Sequence, residues 1–111
     1  MSKYPKRGEI YWVHLDPTVG SEIQKIRPCV IISNNVGNQI STRVIVAPIT
    51  SSVKKIFAFE VPIEIEQKKG KILLDQIRAI DKIRLGKKLG TCDEATLDAI
   101  EDALKIVLAL N

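Results

Sequence analysis

One histidine, two cysteines and a single tryptophan in 111 residues leave little from which to build the commoner active sites. With one imidazole and no Cys-x-x-Cys spacing, neither a structural nor a catalytic zinc site is expected. Two lone thiols make no disulfide scaffold, so Cys29 and Cys92 read as reduced, buried small apolar residues. No apolar run approaches the length that spans a bilayer, and the Met-Ser-Lys-Tyr-Pro-Lys start lacks the apolar segment of a signal peptide. A cytoplasmic protein with no membrane partner is the expectation. Also missing are a Gly-x-Ser-x-Gly elbow, a phosphate-cradling glycine loop, and any pair of histidines at ligand spacing.

What is present suits one domain over residues 1–111, long enough to bury a core without cross-links, with no linker, internal repeat or low-complexity segment. The net charge of +4 is unevenly placed: residues 93–111 carry five acidic side chains against Lys105, a net −4, which leaves +8 on residues 1–92. A one-sided excess of Lys and Arg is the electrostatic footprint of a polyanion binder, although many soluble proteins are mildly basic for other reasons.

The chain is organised around Lys25 to Asn34, where a cationic, proline-stopped loop runs into an apolar strand. Its short length and β-branched content favour a strand covered on both faces. Pro28 fixes its own φ and pushes Arg27 toward an extended conformation, so the guanidinium projects from a defined backbone at the strand's mouth. Arg7 to Leu15 reads as a first strand, with Ile10, Trp12 and His14 on one face and Tyr11, Val13 and Leu15 on the other, a pattern suited to a small closed barrel. Residues 16–25 read as a mobile loop and Asn34–Asn38 as a turn. A third strand over Thr42–Ile49 is expected to finish or bulge at Pro48, exposing Thr50, Ser51 and Ser52.

Phe57–Ile63 predicts a fourth strand, placed at an edge by Pro62, followed by a charged connection bending at Gly70. Lys71 to Asp81 predicts a strand that carries Gln76 and Arg78 together on one face, and residues 82–90 a short basic strand or turn. Thr91-Cys92-Asp93-Glu94 fits a capping box, and Leu97, Ile100, Leu104, Val107 and Leu108 mark one face of a helix over residues 93–110.

An enzyme with this inventory needs chemistry that works almost without histidine and without a metal or cofactor. RNA cleavage meets that requirement, because the substrate supplies its own 2′-hydroxyl and the protein has only to orient it and stabilise the crowded phosphate. An arginine beside the phosphorus and a threonine hydroxyl donating to a phosphate oxygen suit the task. Arg27 and Thr50 both flank proline-marked strand ends and are the candidates. The alternatives are a surface salt bridge of Arg27 with Glu22 or Asp16, and a strand-end cap for Thr50. His14 reads as a proton carrier or, more simply, as a barrel-end surface residue. Lys82, Arg78 and Arg84 either track phosphates or solvate a face. Tyr11, Trp12, Phe57 and Phe59 read as core, unless a ring near the loop stacks a base.

Taken in order, Arg7-Gly8-Glu9-Ile10-Tyr11-Trp12, Leu15-Asp16-Pro17, Gly20-Ser21-Glu22, Lys25 to Asn34, Pro48-Ile49-Thr50-Ser51 and Asp75 to Lys82 resemble the MazF/PemK toxins of bacterial type II toxin–antitoxin modules. The resemblance runs from residue 7 to the C-terminal helix. It implies a mainly β, SH3-like small barrel with a C-terminal helix. It further implies a homodimer that cleaves single-stranded RNA or mRNA sequence-specifically without a metal, and a cognate antitoxin that neutralises it. The family's catalytic pair falls on Arg27 and Thr50 and its RNA-contacting residues on Ser21, Glu22, Asn34 and Gln76, with Lys25, Ser51 and Arg78 adjoining them. A rival on the same barrel is a non-enzymatic poison of the CcdB type that binds DNA gyrase, in which the helix would carry the interaction; a DNA-binding role within a toxin–antitoxin repressor is another. Arg27-Pro28 together with Pro48-Ile49-Thr50 favours the nuclease.

Overall fold

Among the described residues, seven strands and two α-helices follow in the order β1 (Glu9–His14), β2 (Ile26–Ile31), α1 (Asn35–Ile40), β3 (Arg43–Thr50), β4 (Glu60–Ile65), β5 (Lys68–Leu73), β6 (Arg78–Asp81), β7 (Leu85–Thr91) and α2 (Glu94–Val107). The computed structural model describes residues 3–111, so Met1 and Ser2 of the charged start lie outside the described residues. A single curled antiparallel sheet, a half-barrel, runs β4–β5–β3–β2–β1–β7, and β6 also pairs with β3. As expected, β2 is packed on both faces. Val30 joins Ile10, Ile72, Leu74 and Ile100 in one cluster, whereas Cys29 and Ile31 join Val13, Leu15 and Val46 in the other.

Pro48 does not end β3. The strand runs on to Thr50, with β2 along one edge through the pairs Ile31↔Val46, Val30↔Ala47 and Cys29↔Pro48. Its other edge is divided: β6 takes Arg43–Val46 and β5 takes Ile49 and Thr50. Between Ile72 and Arg78 the partner segment has residues 73–77 facing only Ala47 and Pro48, and the surplus coils into a single 3₁₀ turn, Leu74–Gln76. Pro48 has no N–H to leave orphaned at that break. The regular strand expected through Lys71–Asp81 is therefore corrected to two strands separated by a turn.

Four further boundaries differ for local reasons. The expected turn at Asn34–Asn38 is helix α1, because the Asn34 side chain accepts the Gly37 N–H at 2.7 Å and caps it. The fourth strand starts at Glu60, whose carboxylate accepts the Phe57 N–H at 2.9 Å and closes a turn there. Phe57 is consequently 44% exposed rather than core, its ring stacked on Phe59 with centroids 5.4 Å apart. The hairpin bends at Glu66 and Gln67, which take φ of 50° and 68°, and Gly70 lies within β5. The cap of α2 is Asp93, accepting from Thr96 N at 2.8 Å, two residues later than a box opened by Thr91.

Pro62 does mark an edge, since β4 is one end of the sheet. Helix α2 buries Ile100 and Ala103 against the cluster that holds Val61 and Leu74. Among the described residues, no helix is long and apolar enough to cross a membrane.

Candidate functional site

Extending the β2–β3 register by two residues beyond Cys29↔Pro48 sets Arg27 opposite Thr50. Both belong to the wall of one cavity of about 340 Å³, together with Ser51, Trp12 and the hairpin lysines Lys68 and Lys69. Apolar residues of both sheet ends, among them Ile63 of β4 and Leu89 of β7, complete it, so the cavity lies in the gap left by the unclosed half-barrel. Trp12, read from the sequence as core, is 38% exposed there. Lys68 and Lys69 were legible only as part of a charged connection; the run Lys68-Lys69-Gly70-Lys71 was their signal.

Neither polar side chain of the pair is consumed by its local contacts. Arg27 donates through Nε to the Gln24 carbonyl at 3.2 Å, and among the described residues no ion pair joins it to Glu22 or Asp16. Its terminal nitrogens make no hydrogen bond or ion pair among the described residues. The Thr50 hydroxyl accepts from Ser52 N at 3.2 Å, which is the strand-end cap, yet it keeps its own proton to donate.

Thr50 is held from the β5 side as well. It pairs with Lys71, and a Cβ placed on Gly70 would lie 2.7 Å from the Thr50 carbonyl oxygen. Lys71 is itself buried: Nζ reaches Glu60 Oε1 at 2.9 Å and the Lys55 carbonyl at 2.6 Å, fastening the segment that follows Thr50.

A second cleft of about 190 Å³ is lined by Glu22, Asp75, Gln76 and Arg78, with Pro48 at its wall. The surplus turn opposite Pro48 is what carries Asp75 and Gln76 to this place. Gln76 Oε1 accepts the Ile23 N–H at 2.9 Å, and Arg78 Nη1 donates to the Leu15 carbonyl at 2.9 Å. The loop read as mobile is closed at its neck: Leu15 N donates to Lys25 O at 2.9 Å and Lys25 N to Asp16 Oδ1 at 3.1 Å. Glu22 also accepts the Val19 N–H at 2.6 Å.

Seven RNA-contact candidates are thereby distributed unevenly. Ser51 lies in the first cavity, and Glu22, Gln76 and Arg78 in the second. Ser21 and Lys25 are exposed on the loop between them and line neither. Asn34 sits beyond the far end of β2, occupied as the α1 cap, and the fold brings it to neither cavity.

The thiols offer no nucleophile. Burial pushes Cys29 up to about 12, against the opposing pull of the Arg78 guanidinium, and burial with the Asp93 charge pushes Cys92 up to about 11. No group of three or more His, Cys, Asp or Glu side chains comes together at metal-binding distance among the described residues.

Similarity to known proteins bears directly on this geometry. The chain is 41% identical over 111 residues to "Endoribonuclease EndoA" of Bacillus subtilis (strain 168), covering 95% of each chain. It is 44% identical over an alignment of 114 positions to "Endoribonuclease MazF" of Staphylococcus epidermidis, covering 96% of this chain and 92% of that protein. A solved structure described as "Endoribonuclease in complex with its cognate antitoxin from Mycobacterial species" superposes with a TM-score of 0.81 at 27% identity, covering 96% of this chain and 97% of the other. Residues 6–108 match the family described as PemK-like, MazF-like toxin of type II toxin-antitoxin system, and to that family this chain belongs.

Proposed function

We propose that the protein is a toxin endoribonuclease that cleaves single-stranded RNA at defined sequences without a metal. The observation that carries this reading is the placement of Arg27 and Thr50 opposite one another on the wall of one cavity. The 2′-hydroxyl of the substrate attacks the adjacent phosphorus, the phosphorus–5′-oxygen bond breaks, and the proton lost from the 2′-oxygen is balanced by one gained by the leaving 5′-oxygen. The products are a 2′,3′-cyclic phosphate and a 5′-hydroxyl.

Arginine does not deprotonate in proteins, so Arg27 is no general base. Its guanidinium neutralises the charge growing on the pentacoordinate phosphate and hydrogen-bonds the leaving 5′-oxygen, which takes its proton from solvent water, while the Thr50 hydroxyl fixes a phosphate oxygen. Lys25, Lys68 and Lys69 supply positive charge along the strand's path. Ser51 contacts the sugar-phosphate backbone beside Thr50, and the polar edges of Glu22 and Gln76 read an unstacked base in the second cleft. Ser21 completes the contacts on the loop and Arg78 contributes through the loop it holds, whereas Asn34, committed to capping α1 away from both cavities, is left out of the contact set.

The reading includes a homodimer in the cytoplasm and a cognate antitoxin as protein partner, whose acidic segment would cover the basic part of the surface. That the relatives at 41% and 44% identity are named endoribonucleases supports an enzyme over a gyrase poison. The test is end mapping on a long unstructured RNA in the presence of a chelator. Expected are discrete cuts with cyclic or 3′-phosphate and 5′-hydroxyl ends, lost in Arg27→Ala, lost in Thr50→Ala, and blocked by a 2′-deoxy nucleotide at the cut. Full cleavage by Arg27→Ala, or cutting at the deoxy position, would overturn the mechanism.

A further inference from the structure

Arg84 reaches across from the turn before β7 and donates through one nitrogen, Nη1, to two carbonyls, His14 O at 3.1 Å and Asp16 O at 2.7 Å. Arg78 takes the carbonyl between them, Leu15 O, at 2.9 Å. Two guanidiniums thus hold three successive carbonyls at the point where β1 gives way to the 16–25 loop. The same backbone is the near side of the loop's neck, because Leu15 N and Asp16 Oδ1 are the groups that bind Lys25. One residue before the neck closes, Gln24 O accepts Arg27 Nε. Hydrogen bonds joined through Asp16 and the Gln24–Lys25 peptide therefore lead from Arg84 through the loop neck to the Arg27 guanidinium.

Carbonyls at a loop root are ordinarily solvated, and replacing water by a fixed guanidinium orders the chain rather than merely satisfying it. Lys25 at the neck adopts φ 68°, a left-handed conformation uncommon for a residue with a side chain. We infer that Arg84, with Arg78, is a positioning residue: it fixes the root of the 16–25 loop so that Gln24 orients Arg27 toward the scissile phosphate. This inference rests on the role of Arg27 proposed above. Its Nη1 is given to backbone, and the salt dependence of binding tests whether its remaining N–H groups also meet a phosphate.

The two roles separate experimentally. Binding of an RNA carrying a 2′-deoxy nucleotide at the cut is measured against salt, single-turnover cleavage of the matching RNA is measured at saturation, and amide hydrogen exchange is followed at Leu15, Ile23 and Lys25. In Arg84→Ala, and in Arg84→Lys, which keeps the charge, exchange at these amides should accelerate. The saturated rate should fall by about tenfold to a hundredfold, the scale of loss when a catalytic group is displaced by an ångström or less. The slope of log affinity against log salt should not change. A slope reduced by about 0.7 in Arg84→Ala and restored in Arg84→Lys is the signature of a lost single-strand phosphate contact and would overturn the inference. So would unchanged exchange, or a parental rate in both variants. Should Arg84→Ala fail to fold, Arg84→Lys alone decides by rate and exchange. Arg27→Ala run in parallel isolates the other premise: if it cleaves while Arg84→Ala loosens the loop, the clamp stands and the assignment of Arg27 falls.

Discussion

Replacing Gly70 by alanine puts a carbon where the Thr50 carbonyl already is. The new Cβ would stand 2.7 Å from Thr50 O and 3.2 Å from the Ile49 methyl Cγ2, and the nearer of these atoms is backbone, which cannot swing aside. Strand β5 must draw away from β3 at the pair Thr50↔Lys71 by several tenths of an ångström. Overpacking of this kind costs about 1–3 kcal/mol. With about 2.1 cal/mol/K of unfolding entropy per residue, a 111-residue chain loses about 4 °C per kcal/mol, so Tm should fall by about 4–13 °C. Because the displaced atom belongs to Thr50, cleavage at saturating RNA should fall more than stability accounts for, by up to about a hundredfold well below Tm. Gly90→Ala is the control: nothing lies within 4 Å of its Cβ, so Tm should hold or rise slightly. Differential scanning calorimetry and a fluorogenic RNA read both quantities. Parental Tm and rate in Gly70→Ala, or an equal loss in Gly90→Ala, would refute the reasoning.

Other expectations are more briefly stated. Lys71→Met leaves the Glu60 carboxylate, whose side chain is 7% accessible, without its cation; the loss should be about 3–5 kcal/mol by urea unfolding, and pairing it with Glu60→Leu should recover much of it. Arg27→Lys keeps the charge but not the planar fork, so RNA affinity should persist while the saturated rate drops by about a hundredfold to a thousandfold in a quench-flow assay. Burial, with the Glu9 carboxylate at Tyr11, raises Tyr11 and Cys29 to about 12, and burial beside Asp93 raises Cys92 to about 11, from ordinary values of 10.0, 9.0 and 9.0. Each group stays neutral in the fold but ionises in the unfolded chain. The associated stability is complete below pH 9 and is lost as pH rises toward 12, so urea midpoints should decline steadily above pH 9; a flat profile to pH 11 would contradict it.

Much of this architecture was legible because it depends on near neighbours in the chain. The unbroken run Cys29–Ile32 announced a strand covered on both faces, Pro62 announced an edge, and the 3.6-residue spacing of Leu97, Ile100 and Leu104 announced α2. Arg27 and Thr50 were legible as residue types at two strand ends, though only the fold brings both to the wall of one cavity. What escaped depends partly on local side-chain hydrogen bonds that the pattern of residue types does not announce and partly on contacts distant in sequence. The surplus turn at Leu74–Gln76 exists because β3 is already committed to two partners on one edge. The exposure of Phe57 follows from a side-chain hydrogen bond to Glu60, and the order of the 16–25 loop from Gln76, Arg78 and Arg84, each more than fifty residues away.

The divided edge of β3 has a consequence for how the molecule fluctuates. Pro48 supplies no amide at the junction, so the strand is stitched to β6 on one side of it and to β5 on the other with no shared thread. The β4–β5 hairpin can therefore open at Ile49 and Thr50 while residues 43–46 stay zipped to β6, so the two halves of β3 are free to exchange their amides at different rates.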